Sequence, residues 1–108
     1  MQRINIKPLS VNEAFKGRKF KTDKYHTFQK MMLLSLKPMA VPEGNIYLEI
    51  TFGFSSKGSD IDNCLKQTID CLSKKLGFND NRIYKLSALK VIVPKGSEFI
   101  EFTISPLV

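Results

Sequence analysis

Asp60, Asp62, Asn63 and Lys66 crowd into the run Gly58-Ser59-Asp60-Ile61-Asp62-Asn63-Cys64-Leu65-Lys66. Carboxylate and amide oxygens are the ligands that hard divalent cations take, so Asp60 and Asp62 suit Mg2+ or Mn2+. On a continuous helix these two acids would point about 200° apart. They converge only if Asp60 sits in a non-helical turn just before the helix. Lys66, four residues after Asp62, shares its helical face. It serves there either as an ordinary salt-bridge partner or as the cation that holds a scissile phosphate and stabilises the charge developing during cleavage. Plain capping of a helix start would occupy one acid; two acids and an Asn exceed that need. Asp70 lies four residues from both Lys66 and Lys74 and reads as structural. Asp80, between Asn79 and Asn81, has the composition of a turn.

The elements that must position these groups follow from hydrophobic spacing. Residues 45–54 alternate, with Ile46, Leu48, Ile50, Phe52 and Phe54 on one side, and predict a strand. Spacings of three and four among Ile61, Cys64, Leu65, Thr68, Ile69, Leu72 and Leu76 predict an amphipathic helix over 61–76, with Gly77 just past its end. A helix from Thr22 or Asp23 to Lys37, stopped by Pro38, carries Tyr25, Phe28, Met32 and Leu36. Arg3 to Lys7 predicts a short strand, and residues 9–22 a polar loop, with a short extended piece at residues 18–20. Strands over 82–93 and 98–104 flank the turn Pro94-Lys95-Gly96 and read as a hairpin. The order β-α-β-α-β-β predicts a small single α/β domain, a mixed sheet with two helices packed on one face.

The chain has 108 residues, 17 Lys and Arg, 10 Asp and Glu, and a net charge of +7. Residues 1–40 hold nine of the bases and two acids, whereas 41–108 hold eight of each sign. The excess therefore belongs to the amino-terminal third, which suits a polyanion such as nucleic acid. Solubilising charge is the alternative. Lys16, Arg18, Lys19, Lys21 and Lys24 form the densest basic group, interleaved with Phe15, Phe20 and Tyr25. No apolar run approaches the roughly 20 residues of a membrane span, and the start lacks a signal-peptide block. A soluble, intracellular protein is expected. Cys64 and Cys71 fall on the apolar stripe of a helix and read as buried thiols. One His and two Cys exclude a structural zinc site. The lone His26 has no partner that would make it a general base. Gly58 and the Pro94-Lys95-Gly96 turn lack phosphate-loop spacing, which argues against a kinase or nucleotide hydrolase.

The stretches Asp60-Ile61-Asp62-Asn63-Cys64-Leu65-Lys66, Ile69-Asp70-Cys71-Leu72 and Gly77-Phe78-Asn79-Asp80-Asn81-Arg82-Ile83 resemble the core of the RusA-like endodeoxyribonucleases. That family comprises small dimeric Holliday junction resolvases of bacteria and their phages. Asn12-Glu13-Ala14-Phe15 and Gly17-Arg18-Lys19-Phe20-Lys21-Thr22 are similar to its amino-terminal region, so the resemblance spans roughly residues 10–105. It implies essential acids at Asp60, Asp62 and Asp80 that bind metal, and an essential lysine at Lys66. It implies supporting roles for Asn63 and Asn79. The family often has two adjacent Asp residues in its second cluster, and here Asn79 replaces the first.

The activity so implied is metal-assisted hydrolysis of DNA, with Mg2+ (or Mn2+) activating a water and leaving 5′-phosphate and 3′-hydroxyl ends. A homodimer would make paired symmetric nicks across a four-way junction, in the cytoplasm of a bacterial cell. The basic cluster would grip the DNA backbone. The alternative is a non-catalytic DNA-binding or assembly protein of the same fold, with the acids as caps. One spatial conflict is inherent in this reading. Helix 61–76 would be about 24 Å long, placing Asp62 and Asp80 at opposite ends. Either the helix is shorter, or Asp80 serves the other subunit, or Asp80 meets DNA away from the metal.

Overall fold

The computed structural model describes residues 1–17 and 20–107; Arg18, Lys19 and Val108 lie outside the described residues. The strands β1 (Gln2–Ile4), β4 (Ile46–Phe54), β5 (Ile83–Ile92) and β6 (Phe99–Pro106) form one mixed sheet in the order β1-β6-β4-β5. β4 is central. It pairs in parallel with β5 and antiparallel with β6, and β1 closes the other edge antiparallel to β6. The helices α2 (Asp23–Ser35) and α3 (Asp62–Leu76) cover one face. The expected mixed sheet with two helices on one face is thus present.

Alternation explains the layering. Ile46, Leu48, Ile50, Phe52 and Phe54 of β4 are buried, level with Ile104, Phe102 and Ile100 of β6. Tyr25, Phe28 and Met32 of α2 and Cys64, Cys71 and Leu72 of α3 complete the same cluster. The opposite face carries Glu49, Thr51, Glu101 and Thr103, none of them buried, so no second layer is needed there. Gly53 also lies on that face, where the Phe99 ring comes so near that an added Cβ would meet it at 2.4 Å.

Two expectations need correction. β5 and β6 are not a hairpin: β4 runs between them, and residues 93–98 cross over its end. Nearness in sequence suggested pairing. The six-residue connection, however, spans two strand spacings easily, at about 4.8 Å each, and β4, the most apolar strand, gains a neighbour on each side. The Val93 N–H, donating to the Phe54 carbonyl at 2.8 Å, fixes the crossing. Residues 9–22 are not simply a loop. They contain a one-turn helix α1 (Val11–Ala14) and a pair of two-residue strands, β2 (Phe15–Lys16) and β3 (Phe20–Lys21). Ser10 Oγ accepts from the Glu13 N–H, the N-cap half of a capping box, and its hydroxyl donates to the Glu13 carboxylate. Ser10-Val11-Asn12-Glu13 carried that signal in the sequence.

Candidate phosphate groove beside helix α3

α3 begins at Asp62 and runs to Leu76, with Gly77 at φ 73° ending it. The shorter-helix resolution of the spatial conflict is therefore ruled out. Fifteen residues make a rod of about 22 Å. Gly77 and Phe78 both donate backbone N–H groups to the Ser73 carbonyl, and the chain turns into a single 3-10 turn at Asp80–Arg82. The Arg82 guanidinium donates to the carbonyls of Gly44 and Pro42, which pins this turn at the start of β4 and β5.

The start of α3 departs from a capped helix. Its N-cap residue is Ile61, in helical conformation, and no side chain caps the first turn. Asp60 accepts only a long 3.4 Å bond from the Asn63 amide, and Asp62 has no hydrogen-bond or ion-pair partner among the described residues. Capping does not explain either acid. Asp62 still gains from the helix dipole in the first turn.

The two acids face different spaces. Asp60 and Asn63 border a cleft of about 340 Å3 at the carboxyl end of β4, with Lys7, Asn12, Glu13, Ser59 and Glu98. Asp62, Lys66, Asp70 and Asp80 border a groove of about 310 Å3 on another side of α3, floored by Leu65 and Ile69. Lys66 lies 3.9 Å from Asp70, an exposed pair of small energetic weight. Of the four residues marked as essential by resemblance, three therefore share a groove and Asp60 stands apart. Asn79 is already engaged: its Oδ1 accepts the Asn81 N–H at 3.0 Å as the cap of the 3-10 turn.

Among the described residues, no three His, Cys, Asp or Glu side chains converge as they would around a protein-built metal cage. The donor chemistry still fits an open site. Mg2+ commonly takes one or two carboxylates and fills its remaining positions with water and substrate phosphate. Asp62, exposed and unpartnered, meets that smaller requirement.

Of the basic region, Lys21 comes nearest to this groove, through Cys71 beside Asp70. Lys16 and Lys21 are exposed on the β2–β3 ribbon, with Phe20 at 74 % exposure beside them. Lys24 lies 3.6 Å from Glu13. Tyr25 is buried against Phe15, with Lys21 Nζ 4.7 Å from its ring centre. Burial, then the Asp70 carboxylate and Cys71, raises the Tyr25 hydroxyl pKa. Cys71 is pushed up to about 11 by burial and by Asp70, with Lys74 and Lys21 opposing. Asp70, Tyr25, Cys71 and Lys21 thus share one neighbourhood, where the ribbon's base meets the groove. Cys64 is also pushed up to about 11, by burial first and then by Glu13 and Asp62. Both thiols stay protonated at neutral pH, and neither supplies a nucleophile. His26 is exposed on α2.

Gln67 escaped the sequence reading. It is 1 % exposed, and its amide donates at 2.8 Å to the carbonyls of both Leu9 and Asn63. It ties the first turns of α3 to the chain ahead of α1. A long polar side chain between Cys64 and Cys71 on the buried stripe was the available signal. No helix among the described residues is long and apolar enough to cross a membrane. Comparison with family models gave no match to this chain, and neither did comparison with curated proteins.

Proposed function

We propose that this protein is a Mg2+-dependent endonuclease that acts as a homodimer on four-way DNA junctions. It makes paired symmetric cuts that leave 5′-phosphate and 3′-hydroxyl ends. The setting is DNA recombination and repair in the cytoplasm of a bacterial cell, on a host or phage gene product. One observation carries the reading: Asp62 and Lys66 stand on one exposed face of α3, Asp62 has no capping bond to make, and Asp80 borders the same groove. A passive binder that used these acids as caps would show them capping.

The chain's own groups divide the work. Lys66 holds a phosphate oxygen and offsets charge that builds there during displacement. Asp62 would hold the cation together with that phosphate and water. When bound, the ion supplies a water acidic enough to attack at neutral pH. Asp60 lies in the separate cleft, apart from this cation, where it accepts from the Asn63 amide. Asp80, carried back by the turn after α3 to the border of the same groove, would help to hold the cation or its water there. Lys16, Lys21 and Lys24, together with Arg18 and Lys19, hold the backbone, so affinity falls steeply with salt.

The test incubates labelled four-way junction and linear duplex with the protein in Mg2+, Mn2+ or EDTA, beside Asp62→Asn. Paired, metal-requiring cuts on the junction that vanish in the variant are expected. Tight junction binding without cleavage would overturn the enzyme and leave a DNA-binding protein of the same fold.

A further inference from the structure

We infer that the free edge of β5 is where two copies of this chain join, antiparallel about a two-fold axis, into one sheet spanning both subunits. The inference rests on the dimer part of the proposed function and gives it a surface; it does not require the nuclease activity.

The two edges of the sheet are built differently. β1 is three residues long and leaves little to pair with. β5 is ten residues long and is the last strand in the sheet order, so one whole side of its backbone has no partner among the described residues. Long exposed edges are ordinarily protected by proline, by bulges or by outward lysines. β5 contains no proline, and its one irregularity lies at its very start, opposite Ile46 and Tyr47. Its two lysines are turned back onto their own chain. Lys85 Nζ sits 4.6 Å from the Tyr47 ring centre, and Lys90 Nζ donates to the carbonyls of Lys57 and Ser59. The groups that would guard the edge are withdrawn from it.

Apolar side chains take their place. Nine large hydrophobic residues are exposed among the described residues, and Tyr84, Leu86, Leu89 and Ile92 of β5 are four of them. The helix layer stops short of this strand. Leu86 and Ile92 stand level with the buried Leu48 and Phe54 in the ladder, yet both are exposed. Apolar residues lie on both faces of the strand, because Leu89 pairs with Thr51 on the open side.

A second copy is the occupant that fits the charges. In a two-fold antiparallel pair, facing positions add up to an even number, and positions 85 and 90 do not. Lys85 and Lys90 therefore never oppose one another, and any register centred from 86 to 89 keeps each lysine away from its own symmetry mate. Such a pair joins two four-stranded sheets side by side and sets both α3 helices on the same face.

Sedimentation equilibrium of the full chain, with hydrogen exchange at high and low protein concentration, tests this. A dimer is expected, with residues 83–92 losing protection on dilution. Leu86→Lys with Leu89→Lys should weaken association at least about tenfold, because it sets like charges across the joint, while far-ultraviolet circular dichroism stays unchanged. Leu34→Lys, on the exposed side of α2, should leave association intact. A monomer at all concentrations would overturn the inference. So would a dimer whose dilution-sensitive amides lie on α2, or one that the β5 lysines leave unchanged. Junction cleavage measured in parallel separates the two readings: a β5 dimer that never cuts keeps the surface and sinks the nuclease. A cutting dimer joined elsewhere does the reverse.

Discussion

The two sides of the start of α3 carry similar residues in opposite states. On the cleft side, several polar groups are occupied. The Glu98 carboxylate accepts from Ser55 Oγ and the Gly96 N–H, both at 2.8 Å, Asp60 accepts from Asn63, and Lys90 holds the Ser59 carbonyl. On the groove side, Asp62 is unpartnered among the described residues, and Lys66 has only a 3.9 Å neighbour. Occupied polar groups hold a loop in place. Unoccupied ones on a rigid helix are ready for a ligand at little reorganisation cost. The same composition thus serves architecture on one side and suits chemistry on the other.

The largest effect should come from emptying the groove. Asp62→Asn is expected to lower junction cleavage by at least about 100-fold, the usual cost of removing one preorganised electrostatic group. Its melting temperature should stay near that of the parent, since no bond is lost. Lys66→Ala should match it in rate loss while also weakening junction binding. Asp60→Asn, whose side chain already has a neighbour, should lose less than Asp62→Asn. Equal losses would mean that both spaces join around one substrate, and the contrast between the sides would fail.

Next in size is the anchor beneath both sides. Gln67→Met removes one buried and one part-buried hydrogen bond and leaves the Leu9 carbonyl without a donor, which should destabilise the fold by about 1–3 kcal/mol in urea denaturation. A smaller effect is expected from Asp70→Asn. Its pair with Lys66 is exposed and loosely held, so stability should change by less than about 0.5 kcal/mol. A larger loss would place Asp70 among the structural groups after all.

Much of this was legible in the sequence. Residues 45–54 and 61–76 announce their elements because one face of each is buried without interruption, and the observed β4 and α3 differ by a single residue at their starts. Gly77 ended α3 as its spacing required. The pairing of β5 and β6 was not legible, because a strand's alternation fixes which side faces the core and says nothing of which neighbour it takes. The separation of Asp60 from Asp62 was visible only as a 200° offset on a helix wheel. Asp60 does precede the first helical residue, as convergence required, but Ile61 already has helical backbone angles, so the chain has no room to swing Asp60 round. Gln67 was hidden because a carbonyl 58 residues away has no sequence signature.

The finest probe of the occupied side is acid. Bonds from its own N–H and the Ser55 hydroxyl, together with the Gly96 N–H, hold the Glu98 carboxyl below its ordinary 4.5. A depressed pKa means that the folded state favours the ionised form, so this contribution is fully present above pH 4.5 and fades as pH falls through the lower folded value. Protonation would loosen the 93–98 crossing over β4 while leaving the unpartnered groove untouched. The parent should lose protection of the Gly96 amide only as pH falls below 4.5, and before global unfolding. Glu98→Gln, which cannot ionise, should show that weaker protection at every pH. Loss of protection along α3 at the same pH would mean that the two sides are coupled rather than separate.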